Sequence, residues 1–214
     1  MEKRPRSIRV LGWVVGVLYL LRAVGQLFPY RLVEEMIISA TAPATQIVLA
    51  LMTLGANLGT QAFVLLSVIL FSVWSYQAHE NARLLAPDAT LSNGPGVMIW
   101  SYLIPVVNLF LPYSAMKEVF SVSDLAAQAA EDDDYSRASS GGALLLAWWI
   151  MYILSSIIVT FTIRSGASSS SEELTVISVQ APFVLVSAAL NFAWCIYLSR
   201  LQDLAIVRQA KRAP

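Results

Sequence analysis

Charge is scarce in this chain. Only 13% of its 214 residues are Asp, Glu, Lys or Arg, where a water-soluble domain carries roughly 25%. A single cysteine, Cys195, excludes an internal disulfide and any cysteine-based zinc or iron–sulfur centre within one chain. A single histidine, His79, excludes a multi-histidine metal centre or a bis-histidine haem. The 14 basic residues balance the 14 acidic ones, so net charge points to neither nucleic acid nor an acidic ligand. No cofactor and no metal site follow from this inventory, and no nucleic-acid partner.

What the chain has in abundance is apolar surface. Hydrophobic residues make up 57% of it, and the mean hydropathy is +0.64. A soluble fold of this size could not hide so much. Several runs reach the roughly 18–20 uncharged residues that cross about 30 Å of hydrocarbon. The expected fold class is therefore an all-α, polytopic membrane helical bundle forming a single membrane domain. Four transmembrane helices are expected at about residues 8–28, 53–74, 143–163 and 174–198. The start, MEKRPRSIR before LGWVVGVLYLL, reads as an uncleaved signal anchor, since no small-x-small site follows it. PYRLVEEMIISATAPA reads as a loop, and residues 45–54 as an extension of the second span or a separate short helix.

The stretch PVVNLFLPYSAMKEVF is the irregular one. Pro105 and Pro112 each lack a backbone donor and disrupt the turn before them. Two topologies follow for segment 97–112. If it crosses fully, basic residues divide evenly between the two sides. If it enters and returns, or lies along the interface, they separate. One side then holds Lys3, Arg4, Arg6, Arg9, Arg83, Lys117, Arg137, Arg200, Arg208, Lys211 and Arg212, the other only Arg31 and Arg164. The positive-inside rule selects the second arrangement, with both termini and the loop 113–142 in the cytoplasm. Trp13, Trp74, Trp148, Trp149 and Trp194 then all fall toward the inner interface, where amphipathic rings prefer to sit. The expectation is four spans plus a proline-broken re-entrant or interfacial segment.

FSVWSYQAHENARLL, GPG, IPVVNLFLPYSAMKEVF and AWWIMYIL together resemble the bacterial membrane family called domain of unknown function 4328. The resemblance spans roughly residues 10–200, and its specific part runs from Phe71 to Phe120. Trp74, Ala78, Asn81, Pro95, Gly96, Pro105, Asn108, Leu109, Pro112, Tyr113 and Met116 follow the family pattern in order. Gln77 stands where that family often has arginine. The resemblance implies a bacterial multi-span membrane protein, and it brings no assigned chemistry.

Each remaining candidate has a plain reading beside its sharper one. His79 and Glu80 are neighbours in sequence, but successive helical residues do not share a face, so an interfacial histidine comes before a base. EDDDY at 131–135 lacks the glycine and spaced ligands of a calcium loop and reads as solvated charge. Arg22 lies inside the first span, where it can snorkel outward, pair with Glu34 or Glu35, or mark a functional site. Asn57, Gln61, Gln180 and Asn191 are intramembrane polar groups, interhelical glue or a cavity wall.

The functional expectation is a non-catalytic bacterial inner-membrane module. A cytoplasm-facing pocket of Trp74, Asn81, Pro105, Asn108, Pro112, Tyr113 and Lys117 would bind a lipid, a small molecule or a partner protein. Membrane lipids are the expected partners, with a homo-oligomer or membrane partner protein as further possibilities. The alternative is a small oligomeric transporter or channel using segment 97–112, since freed carbonyls at broken helices supply ion and substrate sites. An enzyme ranks third, because no carboxylate pair or oriented nucleophile is present in a span.

Overall fold

The computed structural model describes residues 5–40, 42–101, 104–128, 140–165 and 169–212. The described residues are helical, with no strand among them. The helices are α1 (Arg9–Gln26), α2 (Tyr30–Ser39), α3 (Pro43–Leu85), α4 (Val97–Trp100), α5 (Pro105–Asn108), α6 (Leu111–Gln128), α7 (Ser140–Ser165) and α8 (Ser170–Arg212). The EDDD run at 131–134 lies outside the described residues.

Four helices, α1, α3, α7 and α8, are long and apolar enough to cross a membrane, which makes this a multi-pass membrane protein. Their outward faces carry Leu51, Leu58, Leu65, Leu146, Ile157 and Phe161, all exposed. In water such a surface would mark an interface or drive aggregation; in lipid it costs nothing. α3 and α8 have 43 residues each, or about 65 Å at 1.5 Å per residue, twice the hydrocarbon thickness. Both therefore extend well beyond any bilayer. The 45–54 stretch is continuous with the rest of α3, and α2 replaces the expected loop between the first two spans.

α8 is the central element and packs against α1, α7, α6 and α3. Gly12 and Gly16 let α1 approach it closely. A Cβ at Gly12 would collide with Ser199 Oγ, and one at Gly16 with the Phe192 ring. The other GxxxG pair, Gly55 and Gly59, faces open space.

One end of the bundle gathers the start of α1, the end of α3, the end of α8 and the start of α7. Arg6 pairs with Asn81, Asn81 bonds Gln202, and Gly141 abuts Phe120 and Tyr197. The chain thus leaves α3 and begins α7 at the same end, with α4, α5 and α6 in between. Pro105 opens α5 and Pro112 sits in the first turn of α6, the helical positions where a missing N–H is tolerated. Segment 97–112 is accordingly two four-residue helices followed by the opening turn of α6.

Beneath that end lies a layer of aromatic rings. Phe71 stands 5.5 Å from Trp74 and 5.8 Å from Trp148 by ring centroid, and Phe120 stands 6.0 Å from Trp194. The tryptophans do collect toward one end. Of the five, however, Trp74, Trp148, Trp149 and Trp194 are buried, and only Trp13 is exposed, at 42%, with its ring edge-on to Phe192. They build the core there instead of forming a lipid-facing belt.

Candidate functional site

Trp74 and Asn81 sit two turns apart on α3, and both side chains are fully or nearly buried. The Trp74 indole N–H donates to Ser199 Oγ at 3.0 Å, and that hydroxyl donates to the Cys195 carbonyl at 2.6 Å. Asn81 Oδ1 accepts from the Arg6 backbone N–H at 2.9 Å, while its Nδ2 donates to the Arg6 carbonyl at 2.7 Å. Nδ2 also donates to Gln202 Oε1 at 3.1 Å. Gln202 Nε2 donates in turn to the Ala78 carbonyl at 2.8 Å and to Ser123 Oγ at 3.0 Å. One buried network therefore clasps the N-terminal segment, α3, α6 and α8. Arg208 adds a bond to the Ala127 carbonyl near the end of α6 at 2.7 Å, where a cation complements the helix terminus. Beside it, burial raises the Asp124 carboxyl above the usual range, opposed by the Gln128 amide that donates to it.

Residues 38–203 match the family described as domain of unknown function, DUF4328. The chain belongs to the DUF4328 family. No curated protein and no solved structure matches it. The family match begins within α2, so the DUF4328 region covers α3 to α8 as far as Asp203 and leaves α1 outside.

The DUF4328 residues of segment 97–112 and α6 lie apart from the clasp. Asn108 Nδ2 donates to the Tyr152 hydroxyl on α7 at 2.9 Å. Tyr152 is 12 residues past Ser140, or about 18 Å along the helix axis. Tyr113 stacks on Trp149 with 6.0 Å between centroids, Met116 and Pro112 are buried, and Lys117 is exposed to solvent. Five of the seven candidate pocket residues thus separate into three places. Trp74 and Asn81 are in the clasp, Tyr113 and Pro112 are in the α6–α7 packing, and Asn108 is on a groove.

That groove, about 300 Å³, is lined by Asn108, Leu109, Tyr152, Ile153, Ile157 and Phe161, with Ser156 and Thr160 along it. It combines apolar walls with a few polar groups, the usual make-up of a small-molecule site. The Oδ1 of Asn108 is buried and has no hydrogen-bond partner among the described residues. An unmet acceptor of that kind costs about 1–3 kcal/mol unless a donor arrives.

Glu35 accepts from the Ser170 backbone N–H at the start of α8, while the Arg22 guanidinium lies over the Tyr19 ring, 5.6 Å from its centroid. Arg22 lines a cavity between α1, α7 and α8 that Tyr152 and Ser156 share with the groove. Asn57, Gln61 and Gln180 line a third cavity nearby. Asn191 is fully buried and accepts from the Cys195 thiol at 3.6 Å. His79 is also fully buried, with neither ring nitrogen hydrogen-bonded among the described residues. Sequence reasoning missed Tyr152, Ser199 and Gln202. Gln202 carried a usable signal: a polar residue on the same helical face as Leu198 and Ala205, where only a partnered amide can be buried.

Proposed function

We propose that this protein is a non-catalytic bacterial inner-membrane module that holds a lipid or lipid-like small molecule in the Asn108 groove. Both termini are cytoplasmic, and segment 97–112 enters the inner leaflet and returns without crossing. The separation of basic residues supports the orientation. The shared end of α3 and α7 supports the return. The single observation that carries the binding reading is the orphaned Asn108 Oδ1 beside an apolar groove of about 300 Å³. A ligand hydroxyl or amine would donate to Oδ1, and an acyl chain would lie along Leu109, Ile157 and Phe161.

Native mass spectrometry of the detergent-purified chain tests this. Wild-type protein should retain a co-purified lipid that Asn108→Ala combined with Tyr113→Ala loses, while membrane insertion stays intact. Equal lipid retention in both would end the binding reading. Failure of the double variant to accumulate would make the segment a structural plug.

A transport reading draws on a different observation. The groove and the Arg22 cavity share Tyr152 and Ser156, so polar groups run between helices in sequence. Proteoliposomes that leak a solute only with Asn108 intact would favour it.

A further inference from the structure

Two cavities adjoin at Gln26 and Val159, which line both. The first, about 110 Å³, is walled by Tyr19, Arg22, Gln26, Ser155 and Ser187. A water's share of liquid volume is about 30 Å³, so this space suits one small polar group. The second, about 410 Å³, presents Asn57, Thr60, Gln61 and Gln180. Arg22 stands 14 residues after Ile8, about 20 Å along α1 from the clasp. The cavities therefore lie toward the opposite end of the bundle. Tyr19 and Tyr152 close the clasp side, in contact with Phe71 and Trp148 of the aromatic layer.

The electrostatics of this space are one-sided. Among the described residues, no Asp or Glu lines either cavity. Among the described residues the Arg22 guanidinium makes one recorded contact, with the face of the Tyr19 ring. A ring face returns about 0.5–2 kcal/mol to a cation, whereas holding a charge at membrane depth costs at least about 2.5–3.5 kcal/mol. The Gln26 amide and the Ser187 hydroxyl line the same space. A cation and several amide and hydroxyl groups face this space with no carboxylate among the described lining residues. Of these, the Ser155 hydroxyl is spent on the Tyr152 carbonyl at 2.9 Å.

We infer that Arg22, Gln26 and Ser187 form a binding site for a single small anionic group, a carboxylate or a phosphate, which approaches through the amide-lined cavity from the end opposite the clasp. The guanidinium supplies the charge and a planar pair of donors. The amide and hydroxyl fix the remaining acceptors, and Asn57, Gln61 and Gln180 meet the polar remainder of the carrier. The site stands on its own observations, although its cavity shares Tyr152 and Ser156 with the Asn108 groove.

The test uses the full chain in detergent at constant ionic strength. One arm titrates inorganic phosphate and acetate against chloride and follows the thermal unfolding midpoint. The other mixes phosphatidylglycerol and phosphatidylcholine micelles and reads bound lipid by native mass spectrometry. Saturable stabilisation by a soluble anion identifies a solute site; preferential retention of phosphatidylglycerol identifies a headgroup site. In whichever arm responds, Arg22→Gln should lower the apparent affinity by about tenfold or more, Arg22→Lys by less, and Arg200→Gln, which removes an exposed cation at the clasp end, should leave it unchanged. If Arg22→Gln does not accumulate, Ser187→Val decides: weaker binding with Arg22 in place supports the site, and unchanged binding overturns it. Absence of any response in wild-type protein, or equal binding by Arg22→Gln, also overturns it.

Discussion

Asn81 meets the Arg6 main chain with both ends of its amide, much as one peptide group meets another across a sheet. Aspartate has the same shape but cannot donate to the Arg6 carbonyl or to Gln202, and it would set a carboxylate against two acceptors. Asn81→Asp is therefore expected to destabilise the protein by about 1–3 kcal/mol or more, the cost of buried groups left unpaired. The readouts are a lower unfolding midpoint in detergent and faster tryptic cleavage after Arg6, whose backbone the amide holds. His79, two residues earlier, offers the opposite case. Its ring is buried and meets only the Asn93 main chain, with neither nitrogen in a well-formed hydrogen bond among the described residues, so His79→Met gives up little polar contact. A volume-conserving apolar exchange of this kind should cost less than about 1.5 kcal/mol. A penalty as large as that of Asn81→Asp would mean the imidazole has a partner outside the described residues.

Among the elements, α1 and α8 depend on close approach in a way that the Gly55–Gly59 face of α3 does not. Gly16 sits against Phe192, and any side chain there must push the helices apart. Gly16→Ile should sharply reduce accumulation in the membrane, measured by quantitative blotting. Gly55→Ala and Gly59→Ala meet open space and should be neutral or stabilising by up to about 1 kcal/mol, the difference in helix propensity. The sequence contains both GxxxG pairs and cannot rank them, because the distinction lies in which face a second helix occupies. Hydropathy did reveal α1, α7 and the apolar parts of α3 and α8, since lipid imposes a length and a composition. It was blind to α2, whose 10 residues are too short and too mixed for a span. It was equally blind to the polar ends of α3 and α8. Those continue as helix because a stripe of Trp74, Ala78, Ala82 and Leu85 stays buried against α6 and α8. The prolines were readable as interruptions. Where Asn108 would bond was not, because Tyr152 lies 44 residues away on another helix.

At the scale of the molecule, the four long helices run alternately up and down, and the buried amide network lies at one end. Arg6, Asn81, Ser123 and Gln202 are there, together with exposed Arg200 and Lys211. The opposite end holds Glu34, Glu35, Glu172 and Glu173 on α2 and the first turn of α8. Eleven of the 14 basic residues belong to segments at the clasp end and two to the other, and the positive-inside rule, which counts Lys and Arg and not net charge, favours the clasp end in the cytoplasm. Thiol labelling checks it with two exposed serines, Ser121 on α6 and Ser171 on α8. The buried Cys195 is first removed as Cys195→Ala. A membrane-impermeant maleimide applied to intact cells should modify Ser171→Cys and spare Ser121→Cys until the cells are opened. Because α6 lies between the end of α3 and the start of α7, labelling at Ser121→Cys from outside would do more than invert the bundle. It would put the Asn81 clasp in the periplasm, remove the orientation on which the proposed groove rests, and make the vestibule around Arg22 face the cytoplasm.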